Sequence, residues 1–446
     1  MVKVITYGTY DLFHHGHRRL LERAKALGDY LIVGVTADGF DRARGKINVQ
    51  QSLMERVEAV KATGLANEII IEEYEGQKID DIRRLGVDIF TVGSDWKGHF
   101  DYLNDYCKVV YLERTEGVSS TEIRSANREI RLGLVGELPC LAKFSQECKY
   151  VNGVSVIGVS CLDNRLLSPS FKELPVFNDD IDSLLDVSDA IYIFSTPECH
   201  YSQIKKALMR GKHVLCETPL TLDIEQWNEL MDIAKNQGVI LMDAIKTAYS
   251  TAYYRMLLLI KSGIIGDVVS VDSICTSMNN LLLSKNKNFP YIWNSINEWG
   301  PTALLPIFQI LGTNYNNKVI TTRLSRDNKE LDLFTKISFI YSNAVASLKV
   351  GQGVKSEGEL IISGTKGYIY VPAPWWKTDY FEARFENSAK NQRFFYQLEG
   401  EGIRYEIVSF VKSIQTGRLS SNIDDNISRA IVMVMSDFKN KQYIEI

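Results

Sequence analysis

The sequence predicts an α/β chain in two parts: a doubly wound parallel unit, then a second such unit that runs into an α+β open-sheet domain. Three observations carry this expectation. Short apolar, β-branched runs alternate with helical patterns over residues 1–129. The alternation starts afresh at Ile130, and from about Lys246 it gives way to longer runs with period-2 patterning. The boundaries expected from these shifts are 1–129, 130–245 and 246–446.

In the first part, Val2 to Tyr7 reads as a strand, and His17 to Leu27 as a helix with Leu20, Leu21 and Ala24 on one face. Strands follow at Tyr30–Val35, Glu68–Glu72, Asp88–Val92 and Val109–Leu112, with helices at Leu53–Thr63, Ile79–Leu85 and Thr121–Glu129. In the second part, strands at Ile130, Val154–Val159, Ala190–Ser195, His213–Cys216 and Val239–Met242 alternate with helices at Tyr201–Arg210 and Ile224–Asn236. The third part offers strands at Val268–Cys275, Phe334–Ile340, Ala344–Val350, Glu359–Ser363 and Gly367–Val371, closed by a helix at Ser428–Phe438. That pattern suits an open sheet with helices on one side. No internal repeat or low-complexity segment interrupts the chain.

At 446 residues the chain is too long for one hydrophobic core. Hydrophobic residues make up 45% and charged residues 24%, an ordinary globular composition. The formal net charge of −4 provides no basic field for nucleic acid. Seven scattered cysteines without CxxC spacing argue for reduced thiols, not a disulfide framework or a zinc site, and no metal-ligand set is expected. The N-terminus turns polar too soon for a signal peptide, and no apolar run could cross a bilayer. A cytoplasmic protein is expected, without membrane insertion.

The segment GTYDLFHHGH places two histidines, His14 and His17, around Gly16 where a strand hands over to a helix. A helix start offers unpaired N–H groups and a positive dipole end, so phosphate is its natural guest. Two imidazoles there can donate to a phosphate whose charge grows in the transition state. Taken alone, the pair could equally serve only to cap the helix.

Four blocks in order extend the reading: GTYDLFHHGH, LLERAKALGDYL, GSDWKGHFDYL and VVYLERTEGVSST. Together they resemble the cytidylyltransferases that act on glycerol 3-phosphate, over nearly all of residues 1–129. The resemblance implies a Rossmann-like HxGH nucleotidyltransferase fold. His14 and His17 would then contact the CTP phosphates, with Thr9, Tyr10, Asp11 and Gly16 shaping the phosphate loop. Lys46 and Arg56 would supply mobile positive charge for the triphosphate and the acceptor phosphate. Arg114, Thr115, Ser119 and Thr121 would hold the far side of the nucleotide. Asp95 and Trp96 would lie near the base and acceptor, with Ser94 standing where a carboxylate is often found. The implied reaction moves CMP from CTP onto a small polyol phosphate, with Mg²⁺ bridging phosphate oxygens. The product would be a CDP-activated polyol for a surface polymer such as teichoic acid or capsule. An adenylyltransferase is the alternative on the same scaffold.

Residues 130–446 resemble the Gfo/Idh/MocA oxidoreductases through IRLGLVG, STPECHY, HVLCETPLTL, GVILMDAIKTAY and KSGIIGDVVSVDS. The resemblance implies a Rossmann domain followed by an open-sheet domain. Candidate dinucleotide contacts are Gly136, Asp163, Thr196, Pro197, His200 and Glu217. The loop after Gly136 continues Glu137, Leu138, Pro139, and Leu138 should obstruct the pyrophosphate. Thr218 stands where the family has a lysine, with Lys246 as a substitute, and Leu305 to Gln309 carries no ionisable group. NAD(P) binding is therefore expected to be doubtful. A degenerate domain, such as an assembly module, is favoured over a reductase supplying the polyol phosphate; a module that binds a sugar or nucleotide without turnover is the third reading. A homo-oligomer, dimer or tetramer, is expected from the open sheet of the family.

Overall fold

The computed structural model describes residues 1–37, 49, 51–73, 77–113, 129–136, 138–161, 171, 174–178, 180–278, 294–396 and 398–446. The chain divides into two compact units, Met1–Glu129 and Ile130–Ile446.

In unit 1, strands β1 (Lys3–Gly8), β2 (Tyr30–Thr36), β3 (Glu68–Glu72), β4 (Ile89–Gly93) and β5 (Lys108–Leu112) alternate with helices α1 (His15–Lys25), α2 (Leu53–Lys61) and α3 (Gln77–Leu85). All pairings are parallel, in the order β3-β2-β1-β4-β5. Such a sheet is covered on both faces, and its alternating side chains feed two separate cores. Ile5, Tyr7, Ile32 and Phe90 pack on one side, while Val4, Leu31, Val33, Leu21 and Val60 pack on the other. Gly34 of β2 accommodates Tyr7, because a Cβ there would come within 2.2 Å of the ring. The order reverses direction at β1 and β4, so their C-terminal ends form the crevice where doubly wound folds receive ligands. The expected helix at Thr121–Glu129 lies outside the described residues, apart from Glu129.

Unit 2 opens with a second parallel sheet built from β6 (Ile130–Gly136), β7 (Val154–Cys161), β8 (Val176–Asn178), β9 (Ala190–Phe194), β10 (His213–Glu217) and β11 (Leu241–Ala244). Its order is β11-β10-β9-β6-β7-β8, so the switch point falls between β6 and β9. Arg131 ties the starts of these two strands together, with Nε and Nη2 donating to Asp189 at 3.0 and 2.8 Å. Helices α4 (Leu138–Cys148), α5 (Ile181–Val187), α6 (Pro197–Met209) and α7 (Ile224–Gln237) accompany the sheet. Asp223 caps α7, accepting from Glu225 and Gln226 amides, and Gly238 ends it in the left-handed conformation.

After α8 (Thr251–Lys261) the chain builds a nine-stranded mixed sheet. It comprises β12 (Val268–Ser277), β13 (Asn317–Leu324), β14 (Asp332–Ile340), β15 (Val345–Gln352), β16 (Leu360–Gly364), β17 (Tyr368–Val371), β18 (Tyr380–Arg384), β19 (Gln392–Phe395) and β20 (Ile444–Glu445). Their order is β19-β18-β17-β16-β12-β15-β14-β13-β20. Helix α9 (Ser295–Leu311) lies against β12, β14 and β15, and α10 (Ile403–Thr416) and α11 (Asp425–Lys439) follow. Helix α11 returns to the parallel sheet. Its Val432 joins the core formed by Val135, Ile193, Leu215's neighbours Val214 and Cys216, and Trp227. The Trp227 indole N–H donates to Ser428 at 3.0 Å, linking residues 201 apart in sequence.

Candidate functional site

Unit 1 carries its chemistry on the turn between β1 and α1. His14 is the N-cap residue of α1, and its Nδ1 accepts from the Gly16 amide at 3.1 Å. A nitrogen that accepts carries no proton, so a neutral His14 holds its proton on Nε2, as a donor. The His14 and His17 rings stack with centroids 3.9 Å apart, and Tyr10 and Phe13 each meet the His17 ring at 5.5 Å. Two imidazoles are thus fixed as a pair at a helix start. Tyr10 and Leu12 hold positive φ values of 55° and 48°, a conformation side chains rarely adopt and one that concentrates at functional turns.

Three residues expected at the phosphate loop or the ligand serve instead beneath it. Arg56 was expected to be a mobile charge, but it is fully buried. Its Nη1 donates to the carbonyls of Thr9 at 2.7 Å and Thr36 at 2.8 Å, and Nε to Gln51 at 3.2 Å. A guanidinium engaged with three carbonyls is a brace for the loop, not a swinging arm. Tyr10 is 1% exposed and packs with Leu21, Val33 and Val60, so its ring supports the turn from the core side. Burial holds its phenol well above the usual range. Asp11 is also buried and accepts from the Gln51 amide at 3.0 Å, tying the same turn to the start of α2. Trp96 sits beside His99 and Phe100, at 5.4 and 5.9 Å. Lys46, Arg114, Thr115, Ser119 and Thr121, and the side chain of Asp95, lie outside the described residues. Among the described residues no group of three His, Cys, Asp or Glu side chains could hold a metal ion. All seven cysteines are free, and no described helix is long and apolar enough to cross a membrane.

In unit 2 the C-terminal ends of β6, β9, β10 and β11 form a rim. Gly136 ends β6 at φ +127°, where a Cβ would meet the Phe194 carbonyl at 1.7 Å, so only glycine fits. Thr196 is the N-cap of α6 and Pro197 its first residue, placing that helix's open amides at the end of β9. His200, expected as a dinucleotide contact, is fully buried with Nδ1 2.8 Å from the Pro219 carbonyl and Nε2 2.9 Å from the Ser195 carbonyl. Both nitrogens are spent on backbone, and burial lowers its pKa, so it is a clamp between loops. Asp163 and Glu137 lie outside the described residues, as does the side chain of Leu138.

Glu217 accepts from the Tyr192 hydroxyl at 2.6 Å, and Tyr192 stacks on Phe144 at 3.6 Å. Burial raises the Glu217 carboxyl, while the Tyr192 hydrogen bond and Lys246 pull the other way. Glu406 of α10 is raised further, by burial first and by Glu217 second. Asp243, at the end of β11, is pushed up to about 7 by burial. The Thr218 hydroxyl is buried without a hydrogen-bond partner. The rim therefore holds carboxyls raised above their usual range and one unsatisfied polar atom that a bound group would satisfy. Sequence reasoning singled out Glu217 and Lys246 here but not Tyr192, Asp243 or Glu406. These last three are ordinary members of strand and helix patterns, and only topology joins them.

The fold and paired histidines of unit 1 define a nucleotidyltransferase, and a cytidylyltransferase-like family model matches residues 5–126. The glycerol-3-phosphate cytidylyltransferase of Bacillus spizizenii is 52% identical over 124 residues, 28% of this chain and 95% of that protein. That of Staphylococcus aureus is 46% identical over 128 residues, 28% of this chain and 93% of that protein. Through residues 1–129 the chain belongs to the cytidylyltransferase family, and this unit is a nucleotidyltransferase of the glycerol-3-phosphate cytidylyltransferase type.

A second model, of an oxidoreductase family with an NAD-binding Rossmann fold, matches residues 160–244. A 3-ketoreductase from Actinomadura kijaniata, solved in complex with NADP and TDP-benzene, shares the fold at TM-score 0.61 and 17% identity, covering 72% of this chain and 99% of that one. An oxidoreductase from Agrobacterium radiobacter in complex with NAD⁺, L-tartaric acid and magnesium shares it at TM-score 0.59 and 17% identity, covering 70% and 97%. The expectation that NAD(P) is doubtful for this half is thereby overturned. The family model is of NAD binders, and the fold is shared with proteins solved with these cofactors. The physical reason lies in the scaffold. A dinucleotide is received by a switch point, a glycine turn and helix-start amides, and the first two are present between β6 and β9 and at Gly136.

Proposed function

We propose that the chain is a bifunctional enzyme, in which unit 2 reduces a small ketone or ketose phosphate with NAD(P)H and unit 1 activates the resulting polyol phosphate with CTP. What carries this reading is the combination in one chain of a paired-histidine transferase turn and a reductase fold whose rim holds protonatable groups. Glycerol 3-phosphate is the default acceptor, because the relatives of unit 1 are named for it. The product would be a CDP-polyol, suited to building a surface polymer such as teichoic acid or capsule.

In unit 1 an oxygen of the acceptor phosphate attacks the α-phosphorus of CTP. The new P–O bond forms as the bond to the bridging oxygen breaks, and pyrophosphate leaves in line. His14 and His17 donate to the phosphate oxygens as charge builds, and the open amides of α1 add to them. No described cluster offers a ready cage for Mg²⁺, so the ion would come on the triphosphate, whose charge it neutralises. The histidines and open amides of the turn position reactants, which is the main demand of phosphoryl transfer. In unit 2 the nicotinamide cofactor, when bound, supplies hydride to the carbonyl carbon. Gly136 and the starts of α4 and α6 would receive its phosphates, and Glu217, hydrogen-bonded to Tyr192, would hold the proton that the carbonyl oxygen takes up.

The test uses the full chain with CTP or ATP, and either a polyol phosphate or the matching ketone phosphate. CTP with glycerol 3-phosphate should release pyrophosphate without NADPH. The ketone phosphate should release it only when NADPH is present and consumed. No NADPH oxidation with any ketone or ketose phosphate would remove the reductase half, and preference for ATP would replace the cytidylyl reading.

A further inference from the structure

Three lysines from three separate elements converge on one carboxylate in unit 2. Lys143 of α4 reaches Glu401 Oε1 at 2.6 Å, while Lys246, just after β11, and Lys377, in the turn after β17, reach Oε2 at 3.1 and 3.0 Å. Burial alone would raise the Glu401 carboxyl, but the three ammonium groups outweigh it and hold the carboxyl down at about 2. Three cations against one anion leave a local excess of positive charge. Among the described residues, the neighbours do not cancel it. Glu147 and Arg404 pair with each other at 2.9 Å, and Glu217 and Glu406, which face Lys246, are both pushed towards their neutral forms by burial.

The residue that fills this nest sits on a backbone at odds with its side chain. Glu401 has φ +53°, between Gly400 at +56° and Gly402 at +90°. A non-glycine residue at positive φ carries a conformational cost, tolerated when surrounding contacts over-determine it. Here those contacts are the lysines. The glycines fix the loop closely, since a Cβ on Gly402 would lie 2.7 Å from the Lys246 carbonyl, and one on Gly400 2.2 Å from Glu147.

We infer that Lys143, Lys246 and Lys377 form the anion subsite of unit 2, which takes the phosphate of a small phosphorylated carbonyl substrate in exchange for the Glu401 carboxylate. This rests on the reductase reading above. A phosphomonoester carries up to two negative charges near neutral pH and three acceptor oxygens, against one charge and two oxygens for a carboxylate, so it matches the excess better than the internal group does. The location suits a substrate rather than the cofactor's adenosine end. Lys246 follows the edge strand β11, on the opposite side of the switch point from β7, at whose end the adenosine ribose is read in such folds.

The probe is inorganic phosphate, measured by equilibrium dialysis on the full chain, because unit 1 contributes its own phosphate binding equally to every variant. Wild type should bind one more phosphate per chain than Lys143→Ala/Lys377→Ala, whose side chains are 44% and 40% exposed and whose folded state is checked by circular dichroism and by its CMP transfer. Glu401→Gln, which removes the internal competitor, should tighten that extra site about tenfold, whereas a merely structural carboxylate would not. CMP transfer should be unchanged in all three proteins. Identical phosphate binding in the three overturns the subsite. NADPH fluorescence titration on the same samples separates the two readings. Cofactor binding without a lysine-dependent phosphate leaves the reductase and removes the subsite; a lysine-dependent phosphate without cofactor binding keeps an anion site but removes the reductase, and with it the carbonyl substrate. If saturating NADPH abolishes the lysine-dependent phosphate, the lysines serve the cofactor and the substrate assignment falls.

Discussion

His17 and Arg56 show how two basic side chains at one turn do different work. His17 stacks on His14 at the start of α1, where a donor acts on charge that develops during transfer. Its replacement by alanine should lower CDP-polyol formation by about two orders of magnitude or more while leaving thermal unfolding nearly unchanged. Near wild-type turnover in His17→Ala would refute the assignment. Arg56→Ala should instead unfold the turn. It leaves the Thr9 and Thr36 carbonyls without their donor in a buried place, at a cost of about 3 kcal/mol, seen as a lower thermal midpoint together with lost transfer. Arg56→Lys should recover little, because one ammonium cannot reproduce the planar fork. The resemblance implied a mobile charge at Arg56, but a positive charge in a motif does not reveal whether it faces ligand or carbonyl.

Elements whose apolar residues follow one period were legible, and elements buried on all sides were not. Strand β3 is the five-residue stretch Glu68–Glu72 that its pattern predicts, and α7 falls within a residue of its expected bounds. Helix α9 is marked by no periodic pattern in the sequence. It contains Pro301 and Pro306 and is buried on nearly every side, so it has neither a polar stripe nor an unbroken helical composition. The candidate site followed the same division. The His14–His17 pair is contiguous in sequence and legible there, although the burial of Tyr10, Asp11 and Arg56 behind it was not, whereas Tyr192, Glu217, Asp243 and Glu406 meet only because β9, β10 and β11 lie side by side and Glu406 of α10 comes near them. Asp243 allows a test at this scale. In the unfolded chain an aspartate ionises near pH 3.9, while here it keeps its proton to about 7. Between those values unfolding releases a proton, so stability falls as pH rises, by up to about 4 kcal/mol over the window. Asp243→Asn should remove that fall. The difference in urea midpoint between wild type and variant should shift steadily from pH 4 to pH 7, and a constant difference would exclude the buried acid.

At the scale of the whole molecule, the division at Glu129 and Ile130 predicts that a fragment of residues 1–129 folds and transfers CMP by itself, and that residues 130–446 unfold in one transition. A fragment of residues 130–245 should not fold, although it contains every strand of its sheet, because Val432 fills part of that sheet's core and Ser428 receives the Trp227 N–H. Circular dichroism and calorimetry on the three fragments would check this, and a stable, cooperative 130–245 fragment would contradict it. The return of α11 to the first sheet of unit 2 also sets the order of events during synthesis. Unit 1 has all its residues once the ribosome has released Glu129, and can fold while translation continues. The parallel sheet of unit 2 must wait, its strands already made, until α11 emerges some 180 residues after the last of them. A nascent chain stalled before Asp425 should therefore display a working transferase tethered to an unfinished reductase exposed to chaperones and proteases.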